Sequence, residues 1–435
     1  MKLMTKSKFD TLKIHAGYDP KDHHFASSVP VYQTAAFGLE NTATADKIVT
    51  GKLAGRYDYS RDGNPTVRVF EERIAALDGG VDAVAVGSGM AAISYTILNV
   101  AENGGRIIAP RNIYGSSLDE FRTFFPKFGI NFDFVDDIND FKTVKHLIGE
   151  DTKAIYVESV ANPSTEIADL EKLAEIAHAA CIPLIVDNTF PTPYLLRPFE
   201  HGADIIVYSS TKGINGHGNV ISGLIVDHGT FNWDNPKFPQ FSELEFTLGD
   251  EDLHKQESFV SKFGQQAFIK RIRMKYLRLL GAVLEPVDAY LILLGLETIS
   301  ERLDREVASA TKIAEFLSTN EHVKKVFYSG IEKDNLLVKK YFPKGVGGIL
   351  SFELAGNIKN VATLIDNVHV FSYLPNIGDS RSLIVNPTRT THREVPKKVR
   401  ESQGLNDQVL RLSIGLENVD DLIEDLDQAI EKAFE

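Results

Sequence analysis

Three residues of this chain have the type and setting of reacting groups: Lys212, Asp187 and Arg411. Lys212 follows the β-branched, apolar run Ile205 to Tyr208 and stands among small residues in SSTKGING. Such a run reads as a buried strand, and the hydroxyls and glycines after it mark a sharp exit from a sheet. An amine there, with room beside it for something bulky, suits a nucleophile, and Ser209 and Thr211 flank it with donors for a phosphate. Asp187 ends the run PLIVD. A carboxylate at the tip of a buried strand carries a large desolvation penalty unless a cation meets it, and a protonated pyridine nitrogen is such a cation. Arg411 lies inside VLRLSIGLE, a strand-like run where a guanidinium requires an anion such as a substrate carboxylate. Together these settings predict pyridoxal phosphate: Lys212 forms an imine with it, Ser209 and Thr211 bind its phosphate, and Asp187 keeps its ring protonated as an electron sink.

Other chemistries share parts of this pattern. Residues 209–212 also fit S-x-x-K of penicillin-binding proteins, but the S-D-N and K-T-G motifs that accompany it there are absent. GSGMAA, residues 87–92, fits G-x-G-x-x-A of dinucleotide-binding folds. The next strand ends in Ala109, Pro110 and Arg111 with no acid for a ribose, which leaves a 2′-phosphate on Arg111 as the open alternative. The same glycine turn suits a phosphate held at a helix start, which adds Ser88, Gly89 and Met90 to the candidates. Tyr114 is placed to stack on the cofactor ring and Asn162 to reach its phenolic oxygen. No His or Glu accompanies Asp187 at ligand spacing, so no metal is predicted.

The elements that must position these residues alternate. Strands are predicted at 83–86, 106–109, 132–135, 154–158, 183–187, 205–208 and 222–226, and helices at 66–77, 89–100, 116–128, 140–148 and 168–180. The alternation implies an α/β fold with a mostly parallel central sheet covered by helices, binding its ligand at the carboxyl ends of the strands. Residues 1–60 lack a steady period and read as an N-terminal arm. At its end, Tyr59 and Arg61 share one side if their segment is extended and offer a phenol and a guanidinium to an anion. The cofactor domain is expected over 61–275, including an insertion at 228–275 that covers the crevice. Continuous helical periodicity at 276–317 opens a smaller C-terminal α+β domain, 276–435, with strands at 323–328, 348–354, 368–373 and 409–414 and a last helix over 419–434.

With 43% hydrophobic residues in 435, the chain buries a large core. A net charge of −13 repels phosphate polymers and anionic lipid at long range, which argues against nucleic-acid and membrane partners and leaves small molecules. The one cysteine, Cys181, excludes an intrachain disulfide and reads as a small core residue between Ala180 and Ile182. No apolar run has the length of a signal-peptide core or a bilayer span, so a cytoplasmic location is expected.

The motifs YSRDGNPT, SGMAA, NIYG, ANPS, VDNTF, SSTKGINGHG and RLSIGLEN, in this order over nearly the whole chain, resemble the Cys/Met-metabolism family of fold-type I pyridoxal-phosphate enzymes. The resemblance implies Lys212 as the cofactor lysine, Ser209, Thr211, Gly89 and Met90 at the phosphate, and Tyr114 stacked on the ring. It further implies Asp187 on the ring nitrogen and Arg411 on the substrate carboxylate. It implies that Tyr59 and Arg61 reach the phosphate of a neighbouring subunit, in dimers paired into a homotetramer. Asn376 stands where cystathionine synthases and lyases of the family usually carry Ser, and Ser116 where methionine γ-lyases typically carry Cys. With the long insertion, these departures resemble the sulfhydrylase branch. That branch implies γ-replacement on O-acetyl-L-homoserine by sulfide or methanethiol, with cystathionine γ-synthase and methionine γ-lyase activities as alternatives. A noncatalytic relative is the competing class, although a scaffold needs none of Lys212, Asp187, Tyr114 and Arg411.

Overall fold

Seven β-rich runs form one sheet and five later runs a second. In the computed structural model these are β1 (Asp82–Val86), β2 (Gly105–Pro110), β3 (Ile130–Val135), β4 (Thr152–Glu158), β5 (Leu184–Asp187), β6 (Ile205–Tyr208) and β7 (Gly223–Asp227). The second sheet holds β8 (Val323–Phe327), β9 (Ile349–Leu354), β10 (Ser372–Tyr373), β11 (Leu383–Val385) and β12 (Val409–Ser413). The structure describes residues 7–49, 53, 55–248, 256–391, 393, 397, 400 and 405–435. The protein is α/β, with a mostly parallel central sheet and a smaller second one. The chain divides into two compact units interleaved in sequence: 1–101, 204–211 and 220–297, then 102–203, 212–219 and 298–435.

In the first unit β7 pairs antiparallel with both β1 and β6, and all three strands are buried along their length. Helix α1 (Pro65–Asp78) starts where Pro65 needs no hydrogen-bond acceptor and the Asn64 side chain accepts from Thr66 N–H; it ends at Gly79, whose φ of 84° only glycine adopts without strain. Helix α2 (Gly89–Ala101) leaves β1 through the glycine turn and is buried over most of its length. Much of the insertion belongs to this unit, where Trp233 stacks on Phe268 at 4.8 Å and meets Phe238 and Phe241 to form a buried aromatic cluster. Residues 249–255 of the insertion, which take in the end of its acidic stretch SELEFTLGDED, lie outside the described residues.

In the second unit β5, β4, β2 and β3 run parallel in that order, so the carboxyl ends of β4 and β5 lie side by side. Helix α3 (Gly115–Asp119) follows β2, α4 (Leu170–Ala179) follows β4, and α5 (Ile299–Thr319) and α6 (Val419–Phe434) flank the second sheet in sequence. Four expectations change. The single helix predicted over 116–128 is α3 followed by a wider π turn (Glu120–Phe124) and a tight 3₁₀ turn (Phe125–Phe128), because Pro126 supplies no N–H and Gly129 turns left-handed at φ 75°. The continuous period over 276–317 is cut at Gly281, φ 77°, and Pro286 starts a new helix. The strand predicted over 368–373 shrinks to β10, because Asp425 takes the N–H groups of His369, Val370 and Phe371, while β11 had no predicted counterpart. Cys181 is exposed in the turn after α4, at φ 55°, and Ile182 takes the buried position.

Candidate active site

The glycine turn and the exit from β6 meet within the first unit. A Cβ built on Gly89 would fall 2.6 Å from Ser209 Cβ, so the start of α2 lies against Ser209 and tolerates no larger residue. Ser88 Oγ accepts from Ala91 N–H at 3.1 Å, capping the helix where Gly89 and Met90 begin it. Thr211 Oγ1 donates to Ser222 O at 3.1 Å and accepts from Ser222 N–H at 2.8 Å, and Ser210 Oγ donates to Ser222 Oγ, so the turn closes on Ser222. Tyr59 and Arg61 come together through a turn rather than an extended segment: the N–H groups of Asp62 and Gly63 both donate to Tyr59 O. That turn sets the Arg61 guanidinium 5.2 Å from the centre of the Tyr59 ring, with both side chains facing solvent.

The chain enters the second unit at Lys212. Lys212 Nζ donates to Asn376 Oδ1 at 2.7 Å, and Arg411 Nη2 donates to the main-chain O of the same residue at 3.1 Å. Arg411 lies on β12 with 3% exposure, and its Nη1 donates to Asn162 Oδ1 at 3.2 Å. Burial, and then the charge of Arg411, pull the Lys212 amine down to about 8. Burial lowers Arg411 itself to about 10, and the nearby Tyr114 phenol partly offsets that. The loop carrying Asn376 sits tightly on the loop carrying Lys212. Gly378, φ 62°, approaches Gly213 so closely that a Cβ would come within 2.6 Å of its nitrogen, and Ser380 N–H donates to Gly216 O at 2.9 Å.

Asp187 accepts from Thr189 N–H at 3.0 Å and from the Tyr156 hydroxyl at 3.3 Å. Burial pushes its carboxyl up, and the bonds from Thr189 and Tyr156 only moderate this. Across the sheet its register partner is Glu158, whose Oε1 accepts from Tyr114 N–H at 2.7 Å and whose Oε2 accepts from Asn162 N–H at 3.2 Å. Burial, then the Asp187 charge, raise Glu158 well above the carboxylate range. Tyr114 keeps 38% of its surface exposed.

Lys212, Asn376, Arg411, Asn162 and Tyr114 are thus one connected set, with Asp187 beside Glu158 at the strand ends. Glu158 and Tyr156 were not among the sequence candidates. The signal was present, since AIYVE ends in an acid as PLIVD does. Among the described residues, none of Lys212, Arg411 and Asp187 meets an opposite charge. This donor set fits pyridoxal phosphate. A strand-tip carboxylate that meets only neutral donors matches a protonated ring nitrogen, and an amine of lowered basicity matches an aldehyde. Within the first unit, the glycine start of α2 by itself suits a phosphate.

The family model for Cys/Met metabolism PLP-dependent enzymes matches residues 10–431. An O-acetyl-L-homoserine sulfhydrylase of Leptospira meyeri is 37% identical over 97% of this chain and 96% of its own. An L-methionine gamma-lyase of Fusobacterium nucleatum is 36% identical over 99% of both chains. A crystal structure from Campylobacter jejuni subsp. jejuni, of a protein assigned as an O-acetylhomoserine (thiol)-lyase and carrying N'-pyridoxyl-lysine-5'-monophosphate, superposes with a TM-score of 0.91 at 36% identity. It covers 98% of this chain and 100% of that one.

Proposed function

We propose that this chain, which belongs to the Cys/Met metabolism family of PLP-dependent enzymes, replaces the γ-acetoxy group of O-acetyl-L-homoserine with sulfide or methanethiol, giving L-homocysteine or L-methionine and acetate. The observation that carries the reading is the set of Lys212, Arg411 and Asp187, each held on neutral partners with no opposite charge against it among the described residues. Relatives at near-equal identity include both a sulfhydrylase and a lyase, so the choice between them rests on single residues. Ser116 in place of a lyase cysteine supports replacement over elimination, and Asn376, where cystathionine synthases and lyases usually carry Ser, supports the sulfhydrylase branch over both.

When bound, pyridoxal phosphate supplies an aldehyde for an amine and a ring that withdraws electrons. Ser209, Thr211, Ser88, Gly89 and Met90 would hold its phosphate. Asp187 would accept a hydrogen bond from the ring nitrogen, the Tyr114 ring would lie against the cofactor, and Asn162 would reach its phenolic oxygen. Arg411 clamps the substrate carboxylate with two parallel N–H groups. Lys212 Nζ, with its basicity lowered to about 8, takes the proton from the substrate Cα and later returns it. Asn376 Oδ1 holds that amine in place between transfers.

The same proposal includes a division into arm (1–60), cofactor domain (61–275) and C-terminal domain (276–435), and a homotetramer of dimers in the cytoplasm. The solvent-facing Tyr59–Arg61 pair supports active sites shared between subunits, with Tyr59 also near the substrate. No helix among the described residues is long and apolar enough to cross a membrane.

Product analysis tests the function: O-acetyl- and O-succinyl-homoserine, each with and without sulfide, and with cysteine. Homocysteine plus acetate as the main products supports it. Predominant 2-oxobutanoate and ammonia would make the chain a lyase, and cystathionine from cysteine would make it a cystathionine synthase.

A further inference from the structure

We propose that Glu158 is a positioning residue that holds the aromatic ring of Tyr114 and, through Asn162, the Arg411 guanidinium in one fixed frame. The inference rests on the roles proposed above for Tyr114 and Arg411. Glu158 ends β4, where main-chain pairing with β5 fixes its Cα against Asp187. Its two carboxylate oxygens diverge to two different loops. Oε1 receives the N–H of Tyr114, the residue before α3, and Oε2 receives the N–H of Asn162. Asn162 Oδ1 in turn receives Arg411 Nη1. One side chain therefore sets both the height of the ring-stacking loop and the hydrogen-bond acceptor that orients the clamp. Only a side chain with two acceptor oxygens at this length serves both loops. Gln replaces one acceptor with a donor that faces an N–H, and Asp falls one methylene short.

Both Glu158 carboxyl oxygens are taken by main-chain N–H groups of Tyr114 and Asn162, so its removal displaces groups rather than deleting one. A displacement of about 1 Å at such a distance lowers catalysis by up to about 100-fold. The test compares holoenzymes of Glu158→Gln, Glu158→Asp, Arg411→Ala and Tyr114→Ala with the parent. It reads the visible circular dichroism of bound pyridoxal phosphate, its dissociation constant, and KM and kcat for O-acetylhomoserine with sulfide. Both Glu158 variants are expected to keep the coenzyme absorbance, to lose at least about half of its visible dichroism, and to raise KM about 10- to 100-fold. In the Glu158→Gln/Arg411→Ala double variant the KM effects should fall short of additive, because one residue acts through the other.

Folded Glu158 variants with unaltered dichroism and KM, beside Arg411→Ala and Tyr114→Ala variants that lose them, would overturn this inference alone. Silent Arg411→Ala and Tyr114→Ala variants would instead overturn the underlying site assignment. If Glu158→Gln does not fold, Glu158→Asp decides. If neither folds, Glu158 is a folding element and the inference fails.

Discussion

Asn376 receives Lys212 Nζ on its side-chain oxygen at 2.7 Å and Arg411 Nη2 on its main-chain oxygen at 3.1 Å. One residue thus holds two cations, each on its own oxygen. Their mutual repulsion adds to burial in lowering the amine to about 8.

That lowered value makes Lys212 a liability to the fold without coenzyme. The folded-state value near 8 lies below the unfolded value near 10.5, so across that window the unfolded chain binds more protons and stability rises with pH. Lys212→Met is expected to stabilise the apoprotein at pH 7 by up to about 3 kcal/mol, the equivalent of the shift. The advantage should shrink between pH 8 and 10.5 while turnover drops by at least about 100-fold. Urea denaturation at several pH values measures the first effect. A Met variant less stable than its parent at pH 7 would contradict the account.

Arg411→Ala should raise KM for O-acetylhomoserine about 10- to 150-fold, the loss of a charged, doubly hydrogen-bonded contact. Steady-state kinetics measure it, and an unaltered KM would place the carboxylate elsewhere.

Asp187→Asn keeps the shape and the Thr189 and Tyr156 neighbours but removes the charge. Turnover should fall on the order of 100-fold, as when a preorganised electrostatic partner is lost, and coenzyme affinity should fall with it. Equilibrium dialysis and single-turnover rates test this. Parent-like values in both would give the ring nitrogen another partner.

Gly89→Ala places a methyl 2.6 Å from Ser209 Cβ. Relief of that overlap is expected to destabilise the protein by about 1–3 kcal/mol. It should also weaken coenzyme binding by moving the start of α2. Thermal melts and coenzyme titration would show otherwise if both stayed unchanged.

Residue chemistry and periodicity alone determined much of this protein. β-branched runs such as Ile205–Tyr208 and Leu184–Asp187 report largely buried strands, and helices such as Val419–Phe434 carry their own boundaries in Asn caps and apolar period. Lys212, Asp187 and Arg411 were visible for the same reason, since a charge in an apolar run is costly without a partner. Tertiary structure decided what linear order conceals. Glu158 gains meaning only because β4 and β5 lie side by side and bring it level with Asp187. Asn376 joins Lys212 to Arg411 only because a glycine loop packs within contact of Gly213. The Tyr59–Arg61 pair forms through a turn, Cys181 faces outward, and β11 exists by pairing with β12. Local sequence encodes the cost of burying a group, whereas the partner that meets that cost is set by contacts between distant segments.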